Sequence, residues 1–230
     1  DSGALTESAP TFASPEELTS YTYALWISVT EALLEDSLVN LGDFFKEKIA
    51  GAWARKFDSE FLTGSGSPTT GVLNNTSVNV ARSGGSSFES IDETALFDML
   101  KELNTEPKRE GALYIFHPTV GDLIFTIQDA NGNYKFRDVL TLGPAGKLLG
   151  HGWIYSGQMP ASTDTAADTA FVALGNPRHL IFGDRISMEI KVFDQMTSTA
   201  TNTEVIFRAR VRAAFNVTQP TAWCILKTVA

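Results

Sequence analysis

Residues 37–66, SLVNLGDFFKEKIAGAWARKFDSEFLTGSG, constrain this chain more than any other stretch. Apolar side chains recur at Leu38, Leu41, Phe45, Ile49, Ala52, Trp53 and Phe57, and Phe61 and Leu62 close the pattern. Steps of three and four place them on one stripe of a helix. Ser37 is the expected N-cap, Asp43 suits the early turns by its charge, and Gly64 and Gly66 supply the stop. A helix of about 25 residues, rising about 1.5 Å each, is a rod of nearly 40 Å. Lys46, Glu47, Lys48, Arg55, Lys56 and Asp58 take its other side. Gly42 and Gly51 each cost up to about 1 kcal/mol against alanine, so the rod needs neighbours. The narrow stripe predicts a spine laid along a surface, not a helix sunk in a core.

The clearest β signal lies near the other end. Met188, Ile190 and Val192 alternate with Glu189 and Lys191, and Val205, Phe207, Ala209, Val211 and Ala213 alternate with Arg208, Arg210 and Arg212. Each strand should have one apolar and one charged face, which predicts an antiparallel hairpin wet on one side. Its polar connection, about residues 194–203, is too long for a tight turn. Residues 221–226 predict one final strand.

Between spine and hairpin the pattern mixes helix and strand. Residues 64–87 read as a loop with strand-like fragments. Ser90 with Glu93 forms a capping box before a helix through Leu96, Met99, Leu100 and Leu103. Residues 112–116 (ALYIF) predict a buried strand, and Pro118 starts a helix carrying Val120, Leu123, Ile124 and Ile127. Asp129 to Gly132 is a turn, GWIYS and FVALG are further strands, and residues 161–170 form a solvated loop. Ahead of the spine, residues 1–20 are small and polar, with prolines at 10 and 15, and predict an extended arm. Residues 21–27 (YTYALWI) are β-prone, and residues 29–36 (VTEALLED) make about two helical turns.

Charge is unevenly spread. The formal net charge is −9, yet the first 45 residues hold eight acids and no lysine or arginine, leaving 19 acids against 18 bases elsewhere. Overall acidity argues against a dedicated nucleic-acid binder. The asymmetry predicts that the acidic arm lies against something else. The candidate contact joins Glu7, Glu16 and Glu17 to Arg208, Arg210 and Arg212, a row whose alternative reading is a solvated strand face. No apolar run reaches the roughly 18 residues of a membrane span. The chain lacks an initiator methionine and shows no signal peptide, which predicts a processed or truncated product.

Candidate chemistry is sparse. A single cysteine, Cys224, excludes an internal disulfide and reads as a small core residue. His117, His151 and His179 have no helical zinc spacing, and His117 suits a structural role beside Pro118. The Asp129–Asn133 segment lacks the acidic ligands of a calcium loop, and the glycines of residues 64–67 follow a helix with no lysine placed for a phosphate. Asn75 and Asn216 begin glycosylation patterns without a secretory context. No cofactor, no metal and no catalytic group is expected, and nothing argues for an enzyme.

Five stretches in order carry a resemblance: VTEALLEDS (29–37), FLTGSGSPTTGVL (61–73), FHPTVGDLIFTIQDANGNYKF (116–136), LLGHGWIYSGQMP (148–160) and LGNPRHLIFGDRISMEIKVFD (174–194). Together they resemble the major capsid proteins of tailed bacteriophages, the Hong Kong ninety-seven fold. The resemblance implies an α+β fold of two parts. The spine and hairpin, 21–63 and 181–216, would form a peripheral domain. Residues 64–180 and 217–230 would form an axial domain, mixed α/β. Residues 1–20 would be the remnant of an extended loop that lies over a neighbouring subunit; the family's N-terminal arm and outgoing loop strand have no counterpart in these 230 residues. Implied partners are copies of the chain in pentamers and hexamers, with scaffold, portal or cement proteins, and DNA enclosed without sequence-specific contact. Implied location is the virion capsid, assembled in the bacterial host cytoplasm. An encapsulin-type compartment shell is the alternative, and an α+β ligand-binding module or enzyme the outsider.

Some members of that family weld subunits with an isopeptide bond from a loop lysine to an asparagine near the hairpin, assisted by a glutamate. The resemblance puts the lysine position near Leu5, the asparagine position on Thr203 beside Asn202, and the glutamate position on Arg210. The chain has no lysine before Lys46, so the amine nucleophile is missing. Particles of this chain, boiled under denaturing conditions, should run on a gel as single subunits; a ladder surviving reductant would overturn this.

Overall fold

The computed structural model describes residues 18–36, 41–103, 110–136, 146–193 and 204–229. The spine is helix α2, Leu41–Thr63. Ser37 and Leu38, its expected cap and first contact, lie outside the described residues. The helix lies on a three-stranded sheet of order β1-β7-β6, made of β1 (Tyr21–Thr30), β7 (Glu204–Val217) and β6 (Leu180–Phe193). Ile49 and Trp53 pack on Ala209 and Val211, ringed by Tyr23, Leu25, Ile27, Phe45, Phe57 and Ile190. Tyr23 meets Trp53 and Phe57 edge-on, with ring centroids 6.1 and 5.6 Å away. Fully burying such side chains is worth about 1.5–3 kcal/mol each, so this small cluster sets the lobe's stability.

Strand β1 runs to Thr30, three residues beyond the expected end, because Ser28, Val29 and Thr30 pair with Ile206, Val205 and Glu204. Only then does the short helix α1 (Glu31–Asp36) form. The middle strand β7 alternates as expected: Val205, Ala209, Val211 and Ala213 are buried. Edge strand β6 does not keep a covered apolar face. Met188 and Val192 are 42% and 56% exposed, and Ile190 is its one residue packed on the Ile49–Trp53 cluster. A helix about 10 Å across covers roughly two strands spaced about 4.8 Å apart, and here those are β1 and β7. Two register shifts in β6, at Asp184/Ile186 and Ile186/Glu189, accompany the uncovered stretch.

The second sheet has the order β2-β8-β5-β3-β4, built from β2 (Asn79–Arg82), β8 (Trp223–Lys227), β5 (Ala170–Gly175), β3 (Leu113–Phe116) and β4 (Gly152–Tyr155). β2 runs parallel to β8 and β4 to β3, while β5 is antiparallel to both its neighbours. All six residues of β5 are buried, as expected of a strand covered on both faces. Helix α3 (Glu93–Glu102) contributes Leu96, Met99 and Leu100 to one core, and α4 (Pro118–Phe125) contributes Val120 and Ile124. The cap of α3 is Asp92, whose Oδ1 accepts from the Ala95 amide at 2.8 Å. Ser90, the expected cap, instead ends a 3-10 turn, Phe88–Ser90.

The two sheets meet where the spine stops. Asn74 Nδ2 donates to the Thr63 and Gly64 carbonyls at 2.9 and 3.1 Å, occupying acceptors the helix end leaves free. The Gly71 amide donates to the Gly64 carbonyl at 2.9 Å. Glu60, 9% exposed, is held by Lys56 Nζ at 2.7 Å and Thr69 Oγ1 at 2.9 Å. A Cβ on Gly71 would lie 2.5 Å from the Gly64 nitrogen and 2.7 Å from the Leu62 carbonyl, both backbone. Gly71→Ala should therefore cost about 1–3 kcal/mol in urea unfolding. An unchanged midpoint would show that the joint yields freely.

Candidate assembly surfaces

The sheet face turned away from the spine gathers the basic residues that alternation placed there. Across the strands, Trp26, Arg208 and Lys191 share one register row, Ala24, Arg210 and Glu189 the next, and Thr22, Arg212 and Ile186 the third. Each arginine is half-buried and engaged differently. The Arg208 guanidinium lies 4.7 Å from the centre of the Phe193 ring, a cation–π contact. Arg210 Nη2 donates to Glu189 Oε2 at 2.9 Å, and Lys191 reaches the other Glu189 oxygen at 3.2 Å. Arg212 Nη2 donates to Ser20 Oγ at 3.4 Å. The Nε atoms of all three are shielded from solvent and have no partner among the described residues. The donations from Arg210 and Arg212 run through their Nη groups.

The predicted contact set is thus half visible. Arg208, Arg210 and Arg212 share one face, while Glu7, Glu16 and Glu17 lie outside the described residues. Sequence reasoning missed two members of this face. Trp26, 69% exposed, stands beside Arg208; its phase opposite Tyr23, Leu25 and Ile27 was the available signal. Arg185 donates Nη1 to the same Ser20 Oγ at 3.4 Å, and the β6 register shift that brings it there has no signature in sequence.

A second surface is an apolar groove of about 540 Å³ at the junction of the sheets, bordered by Arg55, Phe61, Ile154, Tyr155, Phe182 and Phe215. Phe182, Ile154 and Tyr155 remain 49%, 49% and 42% exposed.

The remaining chemical candidates resolve into structural roles. The His117 ring nitrogen Nδ1 accepts from the Thr119 amide at 3.2 Å, capping α4. Asp129 Oδ1 accepts from the Asn131 and Asn133 amides at 2.8 and 2.9 Å, and these bonds, Asn133's foremost, hold the carboxyl below its usual range. Cys224 is buried in β8, and burial pushes its thiol up to about 12. Among the described residues, no three histidine, cysteine or carboxylate side chains gather as a metal site.

The sequence matches the model of a family described as the phage capsid family over residues 2–228. No curated protein matches it. Among solved structures, the fold is similar to the capsid of a native GTA particle, at 21% identity over 100% of this chain and 80% of that one, with a TM-score of 0.84. A chain of Gordonia phage Cozz is similar at 13% identity over 100% and 78%, with a TM-score of 0.73. The capsid of Myoviridae phage XM1 follows at 17% identity over 92% and 74%, with a TM-score of 0.64.

Glu189 carries a testable consequence of the row. The Lys191 ammonium, and after it the Arg210 guanidinium, hold its carboxyl below the usual carboxylate range. A depressed folded-state value stabilises above the unfolded value, near about 4.3, and the effect disappears as pH falls through the depressed value. The urea midpoint of Glu189→Gln should lie below the parent's at neutral pH, and the gap should close below about pH 4. A gap constant across that range would remove the ionic origin.

Proposed function

The chain belongs to the phage capsid family, a structural family and not one of enzymes, and from that membership we propose that it is the major head subunit of a tailed phage or phage-like particle. Copies tile into a closed icosahedral shell around double-stranded DNA. The observation that carries this reading is the half-covered plate. One helix lies on a three-stranded sheet, leaving Trp26, Met188 and Val192 exposed, and Phe182 half-exposed even where it meets the Phe57 and Phe61 rings of the spine. Large exposed apolar groups mark interaction surfaces, and shells repeat modest contacts of this kind many times. An encapsulin-type shell is not favoured, since the family model is that of phage capsids.

In this reading α2 with the β1-β7-β6 sheet, residues 21–63 and 181–216, is the peripheral domain, and the five-stranded body, 64–180 and 217–230, is the axial domain at the symmetry axes. The arm acids Glu7, Glu16 and Glu17 meet the row Arg208, Arg210 and Arg212 between copies. Scaffold, portal or cement proteins are further partners, and assembly takes place in the host cytoplasm.

Exposed ion pairs contribute only about 0–1 kcal/mol each, but a shell repeats them in every subunit. Reversing Arg208, Arg210 and Arg212 to glutamate should weaken particle formation, more at low salt than at high salt, because salt already screens the parent's contacts. Light scattering and negative-stain microscopy across ionic strengths test this. Equal assembly of parent and variant at every salt concentration would sink the interface, and failure of the parent to form any shell with its natural partners would sink the function.

A further inference from the structure

The apolar groove at the junction of the sheets has a counterpart on the far side of the five-stranded body. Helix α3 turns Leu96, Met99 and Leu100 inward against β2 and β8, and leaves Phe97 44% exposed. Asp98 and Lys101 flank that ring, with Lys101 Nζ 2.5 Å from Asp98 Oδ1 on an exposed surface. The groove is lined by the rings of Phe61, Tyr155, Phe182 and Phe215, and Arg55 and Asp58 stand at its border. Neither of these two charges forms an ion pair among the described residues. A ring-lined groove suits an aromatic filler, because rings prefer edge-to-face contacts with one another beyond what burial alone gives. Phe97 brings an acid and a base to a border that presents a base and an acid. Other exposed rings match less well. Trp26 shares its row with two bases, Arg208 and Lys191, and the Phe44 ring is already covered by Lys48 Nζ at 5.4 Å. Phe97 does not reach the groove of its own chain, since β2 and β4 are the opposite edges of the sheet, four strand spacings or about 19 Å apart.

We propose that Phe97 of one copy seats in this groove of a second copy, with Asp98 facing Arg55 and Lys101 facing Asp58. The two surfaces differ and lie at opposite edges of the body, so the contact is heterologous, and its repetition closes a ring or runs on as a filament. One orientation of the ring pairs both charges, while the reverse sets like charges together, so the rotation from copy to copy is fixed. The inference deepens the shell reading by naming one contact between subunits, and it rests on that reading for closure of the ring. It uses neither the acidic arm nor the row of Arg208, Arg210 and Arg212, so the two contacts occupy separate faces.

The test is thiol crosslinking of the full chain under assembly conditions, with microscopy of the same samples. Thr94 lies beside Phe97 and Gln158 lines the groove, so Thr94→Cys/Gln158→Cys leaves the ring and all four charges in place. Cys224 is buried and its thiol is pushed up to about 12, which keeps it out of the reaction. A short bis-maleimide should give a ladder of covalent multimers from the double variant and no ladder from either single one. Adding Phe97→Ser should cut the ladder about ten-fold with the urea midpoint near the parent's. Arg55→Asp/Asp58→Arg should also weaken it, and combining that change with Asp98→Arg/Lys101→Asp should restore it. A ladder undiminished by Phe97→Ser overturns the contact, and a band at two subunits alone assigns the groove to an isologous pair and overturns it too. Closed particles without a ladder overturn the contact and leave the shell reading standing. A ladder without particles upholds the contact and counts against the shell, and the absence of both overturns both.

Discussion

The fold depends on one helix lying on one sheet. Ile49 and Trp53 press on Ala209 and Val211, and aromatic rings from β1, α2 and β7 close around them. Beyond the spine's end the same sheet meets the second body, where Leu180, Phe215 and Val217 pack with Leu62, Val72 and Trp223. A cluster this small stabilises a lobe modestly, since each buried side chain is worth only a few kcal/mol. The lobe therefore stays thin, and the edge strand β6 keeps apolar residues in the open. What would be a defect in an isolated globule is a means of association in a protein that meets copies of itself.

The joint at the end of the spine transmits this arrangement to the rest of the molecule. Glu60 lies within the apolar stripe, yet Lys56 and Thr69 occupy its oxygens, so its burial is compensated. Asn74 takes the last helix carbonyls, and Gly64 and Gly71 pass with no room for side chains. The five-stranded body beyond has its own two-sided core around β5 and β8. The two lobes are thus coupled through a tight polar and backbone contact.

Electrostatics on the open face of the three-stranded sheet is local. The chain as a whole is acidic, but β7 sets three arginines in a row, and each is engaged differently: by a ring, by a carboxylate or by a hydroxyl. Their Nε atoms are shielded from solvent, and Arg210 and Arg212 bond through their outer nitrogens. Arg185 joins them only through the irregular register of β6.

The sequence by itself determined the periodic elements. Steps of three and four specified α2, strict alternation specified β7, and the apolar run through Phe171 to Leu174 specified a strand, because side-chain periodicity follows directly from backbone geometry. It determined the roles of His117, Asp129 and Cys224 for the same local reason. Only the tertiary structure decided what pairing and coverage control. β1 extends to Thr30 because β7 is there to bond it, and Asp92 caps α3 because the 3-10 turn has already taken Ser90. Met188 and Val192 stay exposed because one helix is too narrow for three strands. Trp26, Arg185 and Ser20 come together on a face assembled from three distant segments, and no spacing along the chain records a distance across a sheet.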